Sequence, residues 1–445
     1  MEWWEAFLLI MGSLFFLMFI GMPVAFTFLV VNVVGAYFFF GGLPGMFQLV
    51  IQISDSLSTF TLVPVALFLV MGEIMFHSGI GVNLLDALDK WFGNLKGRLA
   101  LLAVGGGVLF AALTGNSMGS VALLGSSLVP EMEKRGYGKP MSLGPILGSG
   151  GLAIMVPPSG LAVLLGVVAE LSIGQILIAI ILPGLIMAIL YAIYIVGRCA
   201  LDPKVAPAFT VEPVPLSEKL WTTLIHILPV SFIIFMVVGV IFLGLATPSE
   251  SAASGALGTF LLACFQRRMN WNVFKKAMIG SLEISVMLLM IISGALAFTQ
   301  MLAFTGATVG LINMVLSFGT SPTVLVILML ITVIVLGMVM SPVPIMLVTL
   351  PVFIPIVEEV GFNSIWFAVL FLIAIETGTT SPPFGASLFV MKGVAPKGTT
   401  MPQIYSAAIP FLICDAIALI IVLVFPIIVL GPIGLMFESG AFKPY

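Results

Sequence analysis

The chain has 445 residues, of which 61% are hydrophobic and only 8% are charged, and its mean hydropathy is +1.27. Ordinary soluble domains carry about 25% charged residues, so the composition excludes a soluble protein. The apolar runs are long and do not alternate, which predicts an all-α polytopic membrane protein embedded in the lipid bilayer. The net charge of -3 and the absence of a basic tract argue against a nucleic-acid partner.

The first predicted element is a retained membrane helix that begins in "MEWWEAFLLIMG". This stretch lacks the basic region and the small-residue cleavage site of a signal peptide. Three cysteines (Cys199, Cys264 and Cys414) lie in apolar surroundings without CxxC spacing. We interpret them as packing residues.

Nearly all lysines and arginines fall into a few short loops. These are Lys90 to Arg98, Lys134 to Lys139, Arg198 to Lys219, Arg267 to Lys276, and Lys392 to Lys397. The positive-inside rule predicts that all of these loops are cytoplasmic.

The stretch between the first two loops, 99–130, predicts a re-entrant hairpin. It has 32 residues, whereas one crossing needs about 20 and two need about 40. Both of its ends are flanked by cations, and "TGNSMGS" (Thr114 to Ser120) interrupts its middle with polar residues. One long tilted helix is the alternative, but it would put like-charged loops on opposite faces of the membrane.

The chain also matches itself when it is shifted by 225 positions. Pro23 then coincides with Pro248, Gly136 with Gly361, and "VPPSG" with "SPPFG". These are residues that shape the backbone, so the match predicts two structural repeats. The predicted units are a first repeat at 1–200, a cytoplasmic linker at 201–221, a second repeat at 222–431 and a tail at 432–445.

Each repeat is expected to contain the same elements in the same order. Two helices meet near the first proline, a third helix and an amphipathic segment follow, and a hairpin, a broken helix and a last helix complete the repeat. The hairpins are predicted at 99–130 and 323–355, and the broken helices at 141–168 and 365–391. Five crossings per repeat is an odd number, so the second repeat is expected to be inverted relative to the first.

Inverted repeats with broken helices are typical of secondary transporters that bind substrate near the membrane midplane. Four breaks are predicted: the hairpin tips 114–120 and 337–345, and unwound stretches at 148–160 and 376–385. Free carbonyls together with Ser, Thr and Asn oxygens suit hard cations, and half-helix N-termini suit anions.

No lysine or arginine falls at any of the four breaks. An anion there would be held by backbone amides, hydroxyls and bound cations. Glu376 is the one acid at a break, either accepting backbone amides or taking part in cation or proton coupling. Glu73, Glu250, Glu283 and Asp415 are weaker intramembrane candidates.

The run "GNSMG" also matches the GxSxG elbow of serine hydrolases. A hydrolase needs a nearby histidine, and the two histidines, His77 and His226, are both predicted near cytoplasmic helix ends. We therefore expect a transporter and no enzyme, although an intramembrane hydrolase is the alternative from another class.

Four stretches together resemble the large membrane subunit (M subunit) of tripartite ATP-independent periplasmic (TRAP) transporters. They are "TGNSMGSVALLGSSLVPEMEKRGYGK", "GGLAIMVPPS", "LGLATPSESAASGAL" and "ETGTTSPPFGASLFV". The resemblance implies a sodium-coupled, elevator-type importer of organic acids in the bacterial or archaeal inner membrane. It also implies a small four-helix membrane subunit (Q), a periplasmic substrate-binding protein (P), and no cofactor besides Na⁺ as the coupling ion.

The resemblance also implies which residues bind. It assigns one sodium site to Thr114, Gly115, Asn116 and Ser117 with the backbone near Gly150, and a second to Gly337 and Ser341 with Gly378, Thr379, Thr380 and Ser381. Substrate is expected between the tips, against Asn116, Ser117, Pro157, Ser159, Ser341, Thr380 and Pro382.

The second tip departs from the family pattern. Many members have an Asp-Gly-Thr-like run where this chain has Ser341-Pro342-Val343. The change removes a charge and a hydroxyl, and Pro342 and Pro344 remove two amide donors. The sequence thus predicts sodium-driven import of a small organic anion, and a stand-alone symporter of similar fold that needs no binding protein is the alternative.

Overall fold

The computed structural model describes residues 2–93, 95, 97–114, 117–207 and 214–438, and this part of the chain is almost entirely helical, as predicted. In chain order the first half contains α1 (Trp3–Phe19), α2 (Val24–Phe39), α3 (Leu43–Leu57), α4 (Phe60–Ser78), α5 (Ile80–Phe92), α6 (Arg98–Thr114), α7 (Ser117–Lys134), α8 (Lys139–Met155), α9 (Gly160–Val168) and α10 (Ile173–Leu201). The second half contains α11 (Leu216–Phe242), α12 (Pro248–Phe265), α13 (Trp271–Phe304), α14 (Ala307–Ser317), α15 (Pro322–Gly337), α16 (Pro342–Glu359), α17 (Ser364–Thr380), α18 (Ala386–Val394), α19 (Met401–Val424) and α20 (Ile427–Glu438).

Within the described ranges, six helices are long and apolar enough to cross a membrane: α4, α10, α11, α13, α16 and α19. The pair α8 and α9 makes a seventh span if its 43° bend is counted as one broken crossing. Several other apolar helices have 10 to 17 residues. The multi-pass helical architecture is confirmed, and five crossings per half stays a prediction.

The helix bounds of the two halves coincide when shifted by 225 positions. The second hairpin helices, at 117–134 and 342–359, match end to end, and so do the helices before the double prolines, at 139–155 and 364–380. Glycines in the left-handed region end the corresponding turns at Gly136 and Gly361. One clear difference is that α3 and α4 are separate helices, whereas their counterpart α13 is continuous over 34 residues.

The halves are interlocked by exchanged contacts. Helix α2 packs on α13 while its counterpart α12 packs on α4. In the same way α9 packs on the second hairpin helix α16, and its counterpart α18 packs on α7. Tyr191 contacts Asp415, and Leu190 contacts Cys414, each pair separated by 224 residues. Positions of α10 and α19 that are equivalent to within one residue therefore meet.

The helices form two groups. The hairpin group contains both hairpins (α6, α7, α15, α16), both broken helices (α8, α9, α17, α18) and the long helices that follow them, α10 and α19. The scaffold group contains α1 to α4 and α11 to α13. Between them lie the arm helices: α5 contacts α6 and α11, and α14 contacts α1 and α16.

Contacts bring the cation-bearing loops to one side of the molecule, as predicted. Lys90 Nζ lies 2.7 Å from Glu218 Oε1, Lys139 Nζ lies 2.8 Å from Thr399 Oγ1, Arg268 donates to Asn83 Oδ1 at 3.3 Å, and Gly138 N donates to Val205 O at 2.9 Å. That this side faces the cytoplasm stays a prediction of the positive-inside rule.

Two predicted boundaries differ from the structure. The unwound stretches are shorter, because α8 stays helical through Met155 and α17 through Thr380. The glycines of α8 are used for packing: a side chain at Gly148 would collide with the Phe411 ring. The predicted linker is also shorter, since α11 already begins at Leu216 and is held to the first arm helix through Glu218.

We predict that Arg98→Ala destabilises the protein by about 1–3 kcal/mol, because Asp89 and the Gly93 carbonyl lose the hydrogen bonds that the buried Arg98 donates to them. Arg98 is 5% exposed; its Nε donates to Asp89 Oδ1 at 2.6 Å and its Nη1 to Gly93 O at 3.0 Å. Thermal unfolding of the purified protein measures the effect. The matched control is Arg135→Ala, whose Glu131 partner is exposed, with an expected cost of about 0–1 kcal/mol. Equal losses in the two variants would contradict the prediction.

Candidate functional site

The first hairpin tip lies against the broken helix α8. Ser117, the first residue of α7, is buried, and its hydroxyl oxygen has no hydrogen-bond partner within the described chain. The carbonyl oxygen of Ser117 is 3.4 Å from where a Cβ on Gly150 would stand. Two of the predicted residues are thus brought together. Gly115, Asn116 and the side chain of Thr114 lie outside the described residues.

The second hairpin tip lies against the broken helix α17 in a closer contact. A Cβ on Gly337 would be 2.7 Å from the Cα of Gly378, and a Cβ on Gly378 would be 2.8 Å from the Cα of Gly337. Only glycine permits backbones to approach this closely. The structure therefore joins Gly337 of α15 to Gly378 of α17, the pairing that the sequence analysis expected. Sodium binding there stays a prediction.

The two tips are connected through the contact between α8 and α17. Gly151, next to Gly150, packs directly on the carboxylate of Glu376, and a Cβ at this position would overlap it. Glu376 in turn lies two residues before Gly378. The tip contacts therefore lie on the two helices that meet at Gly151 and Glu376, at the centre of the hairpin group.

Hydroxyl groups line the end of α17 and donate their hydrogens inward. Thr379 Oγ1 donates to Glu376 O at 3.0 Å, Thr380 Oγ1 donates to Glu376 Oε1 at 3.0 Å, and Ser381 Oγ donates to Thr377 O at 2.6 Å. All three residues are buried. Because each hydrogen is already used, the lone pairs of these oxygens are available to accept, which is the chemistry a hard cation requires.

The short breaks after α8 and α17 differ in exposure. Pro157 and Ser159 are buried, and the Ser159 hydroxyl accepts from Ala162 N at 3.3 Å, which caps α9. Pro382 is half-buried, and the following Pro383 is exposed, its carbonyl accepting from the Tyr405 hydroxyl at 2.7 Å. A Cβ on Gly385 would be 2.5 Å from Thr379 O and 2.7 Å from Ser381 O, so this glycine lets carbonyl oxygens converge.

The prolines of the second tip initiate a helix. Ser341 is exposed at the N-terminus of α16, Pro342 follows as the first helical residue, and Pro344 lies in the same turn. Prolines are tolerated there because first-turn amides have no intrahelical acceptor. The same amides would have been donors for an anion, so this N-terminus offers fewer donors than an ordinary one.

The arrangement does not support a hydrolase. The His77 ring is 3.2 Å from Glu73 in α4, and His226 lies in α11, so both histidines belong to the scaffold group. Ser117 belongs to the hairpin group and has no hydrogen-bond partner within the described residues. The base that a serine nucleophile requires is therefore not in place.

Comparison with known proteins identifies the family. Residues 11–428 match the sequence profile described as "Tripartite ATP-independent periplasmic transporter, DctM component". The chain belongs to this family. TRAP large permeases are transport subunits of the bacterial inner membrane, which confirms the predicted family, location and transport role and excludes an enzyme.

Similar permeases extend over most of the chain. The C4-dicarboxylate TRAP transporter large permease protein of Pseudomonas aeruginosa is 30% identical over 390 residues, covering 86% of this chain and 88% of that protein. The ectoine TRAP transporter large permease protein of Halomonas elongata is 26% identical over 416 residues, covering 93% and 96%. The isethionate TRAP transporter permease protein DctMQ of Oleidesulfovibrio alaskensis is 26% identical, and this permease covers 53% of it.

Two solved structures share the fold. The YdaH transporter of Alcanivorax borkumensis has a TM-score of 0.64 at 13% identity, covering 87% of this chain and 90% of that chain. MtrF of Neisseria gonorrhoeae has a TM-score of 0.62 at 14% identity, covering 90% and 93%. At these identities the likeness concerns the fold alone.

Sequence reasoning missed two residues at the centre of this permease and weighed a third too lightly. No motif in the sequence pointed to Gly151. The available indication was that Gly144, Gly148 and Gly151 recur at helical spacing, which allows close packing on one side of α8. Tyr191 is fully buried and bonds Asp415, a residue that was only a weak candidate. A tyrosine inside an apolar helix was the available signal, because its hydroxyl needs a partner when it is buried.

We predict that Gly378→Ala separates α15 from α17 and destabilises the permease by about 1–3 kcal/mol, the usual cost of overpacking. The measurement is thermal unfolding, followed by uptake of substrate in proteoliposomes, which we expect to fall strongly. Gly12→Ala in α1 is the matched control, because nothing lies within 4 Å of its Cβ position. Normal stability and uptake in Gly378→Ala would show that this close approach is dispensable.

Proposed function

We propose that this permease imports a small organic anion, carrying a carboxylate or sulfonate group, by coupling it to sodium entry. The meeting of both hairpin tips with α8 and α17 carries the proposal. No lysine or arginine occurs in residues 99–133, 140–197 or 277–391, which include both hairpin tips and both breaks at the double prolines. An anion reaching this region lacks a guanidinium or ammonium partner, so bound cations are the most effective way to lower its desolvation cost.

Relatives support the substrate class. The names of the relatives specify C4-dicarboxylate, ectoine, isethionate and 2,3-diketo-L-gulonate as transported compounds. These compounds share an acidic group on a small polar skeleton. We infer that all of these compounds bind through their acidic group, which amides, hydroxyls and sodium would hold. The rest of each molecule would be recognised by residues that differ between relatives.

Sodium is proposed to bind at the two tips. The first site would use Thr114, Gly115, Asn116 and Ser117 with the backbone near Gly150, and the second Gly337 and Ser341 with residues 378–381. In support, the Ser117 hydroxyl is buried and has no partner among the described residues, and the hydroxyls of Thr379, Thr380 and Ser381 keep free lone pairs. Substrate would lie between the tips, near Pro157, Ser159 and Pro382.

The proposed movement is that of an elevator: the hairpin group moves as a unit against the scaffold group. In support, the α8 and α17 contacts join both hairpins into one packed body, while the arm helices α5 and α14 link that body to the scaffold. We propose a small membrane subunit and a periplasmic binding protein as partners. The relative named DctMQ is about one and a half times as long as this chain, which leaves room in that relative for a fused second segment.

Uptake into proteoliposomes tests the coupling. We expect uptake to require an inward sodium gradient, and Ser117→Ala to raise the sodium concentration for half-maximal uptake about 5–10-fold, corresponding to about 1 kcal/mol for a lost oxygen ligand. Ser126→Ala is the matched control, because its hydroxyl is exposed on the same helix and bonds Leu123 O. Uptake at the same rate with and without a sodium gradient would contradict the proposal.

The same assay separates the two transporter hypotheses. The liposomes contain the permease with or without the small subunit, and the binding protein is added or omitted outside. The tripartite hypothesis expects no uptake without the binding protein. Sodium-driven uptake by the permease alone would instead support the stand-alone symporter.

A further inference from the structure

Helix α3 ends inside the membrane-spanning part of the scaffold group. It runs antiparallel to α2: Gly45 near its start packs against the Ala36 carbonyl, and Leu57 at its end lines a cavity with Leu29 of α2 and Val286 of α13. Val286 lies close to the middle of α13, which has 34 residues and is long enough to cross the membrane. The end of α3 and the break before α4 therefore lie well inside the hydrocarbon layer.

The exposed face of α3 has the wrong polarity for contact with lipid. The half nearer the start of the helix is apolar, and the half that ends inside the hydrocarbon layer is polar. Lipid favours the opposite order, since apolar side chains belong in the hydrocarbon and polar ones at its borders. We call this face, together with the cavity at Leu57, the α3 surface. Its exposed residues are Phe47, Val50, Ile51, Ser54, Asp55, Leu57 and Ser58.

Asp55 lacks a positive partner in this chain. Within the described residues its carboxylate makes no hydrogen bond or ion pair. No lysine or arginine occurs in residues 1–89. Helix α13 carries lysines only at Lys275 and Lys276, about 15 Å or more along the helix from Val286. An acidic side chain within a membrane is costly unless it is paired or faces water, so the α3 surface requires a cation from another molecule.

The cavity beside the end of α3 contains a second unpaired polar atom. It has a volume of about 420 Å³, lies between α2, α3 and α13, and is lined mainly by apolar side chains. Asn32 lines it and is 2% exposed; its Nδ2 donates to Gly294 O at 2.6 Å, whereas its Oδ1 has no hydrogen-bond partner among the described residues. Leu57, Val286 and Met290 line the same cavity and are exposed, so the cavity opens on the α3 surface.

We propose that the α3 surface docks a transmembrane helix of a partner protein. This helix carries a lysine or arginine that pairs with Asp55, and a side chain with an N–H or O–H donor that enters the cavity and reaches Asn32 Oδ1. Side chains of this kind form hydrogen bonds between membrane helices. That the helix belongs to the small membrane subunit rests on the proposed function.

Other occupants fit the α3 surface less well. Lipid chains carry neither a cation nor a hydrogen-bond donor within the hydrocarbon layer. A second copy of this chain that docks through the same surface would be related by two-fold symmetry. It would bring another Asp55 and no lysine or arginine, since α1 to α4 contain none.

Photo-crosslinking in the membrane identifies the occupant. The permease is produced together with the small subunit, and a benzophenone amino acid replaces Ile51 of α3, which is 60% exposed. The matched control has the same replacement at Ile193 of α10, which is 62% exposed in the hairpin group. We expect the Ile51 probe to link the small subunit, identified by mass spectrometry, and the Ile193 probe not to link it. An Ile51 probe that links only lipid or a second permease would overturn the proposal.

Charge substitution tests the pairing. We expect Asp55→Asn to weaken binding of the purified, fluorescently labelled small subunit to the permease in detergent about 10-fold, the usual effect of losing a charged hydrogen bond. Asp55→Lys should weaken it further. Asp86→Asn is the matched control, because Asp86 is exposed on the arm helix α5. Unchanged binding by Asp55→Asn would contradict the pairing, and this variant still decides if Asp55→Lys does not fold.

Filling the cavity tests the second contact. Ala25 lines the cavity on α2, and Ala25→Phe should weaken binding of the small subunit about 10-fold, because the entering side chain loses its space and its approach to Asn32. The same binding assay measures it. Unchanged binding by Ala25→Phe would show that the partner does not enter the cavity.

The outcomes separate the α3 surface from the proposed function. A complex that crosslinks elsewhere, or that Asp55→Asn leaves intact, would refute the α3 surface alone. Failure of the wild-type permease to bind the small subunit would refute the proposed partner together with its docking surface. Crosslinking at Ile51 in a permease whose uptake does not depend on sodium would refute the proposed coupling and support the α3 surface.

Discussion

Backbone groups that leave a helix inside a membrane must find partners in the protein, because lipid offers none. This permease interrupts its helices at two hairpin tips and two double prolines, and the described residues beside both tips pack on helices α8 and α17. Gly337 and Gly378 let one tip rest on one broken helix, and Gly150 lets the other tip rest on the second. The polar positions therefore lie along two neighbouring helices, and their free oxygens are the groups that the proposed sodium binding would use.

The two-fold organisation explains how short helices form a stable body. Neither half packs on itself alone: α9 rests on the hairpin of the second half and α18 on the hairpin of the first. Tyr191 of α10 and Asp415 of α19, 224 residues apart, meet where these two helices pack together. The two tips contact α8 and α17, respectively, and these helices pack on each other, so contacts connect the two tips within one group.

The sequence alone predicted the features that are determined locally. Prolines and glycines fixed the tips and breaks to within a few residues, and the lysines and arginines marked one side of the molecule, because these residues act through the backbone and through the membrane potential regardless of distant contacts. The predicted extent of unwinding before the two double prolines was wrong, because the helices continue through Met155 and Thr380. The "GSGG" run of α8 favours disorder in isolation, but burial on several neighbouring helices keeps it helical.

Contacts between distant parts of the chain were beyond prediction from one sequence. Nothing local pairs Tyr191 with Asp415 or Gly337 with Gly378, since those pairs depend on how α8, α17 and α19 cross. The short amphipathic helix α3 was also not foreseen, because its counterpart is part of the continuous α13. The second tip, by contrast, could be predicted from local sequence. Pro342 and Pro344 lack amide hydrogens, so they were expected to remove hydrogen-bond donors, and the same lack explains why they lie in the first turn of α16.

The central claim is that the hairpin group moves as a unit relative to the scaffold group. Spin–spin distance measurement in liposomes tests it most directly, with labels on cysteines introduced into a variant that lacks Cys199, Cys264 and Cys414. One pair joins exposed Ser126 of α7 to exposed Phe265 of α12, and the control pair joins Ser126 to exposed Gly393 of α18. The account predicts that sodium and substrate shift the distance distribution of the first pair between two populations and leave the second pair unchanged. A first pair that never changes, or a second pair that changes equally, would contradict it.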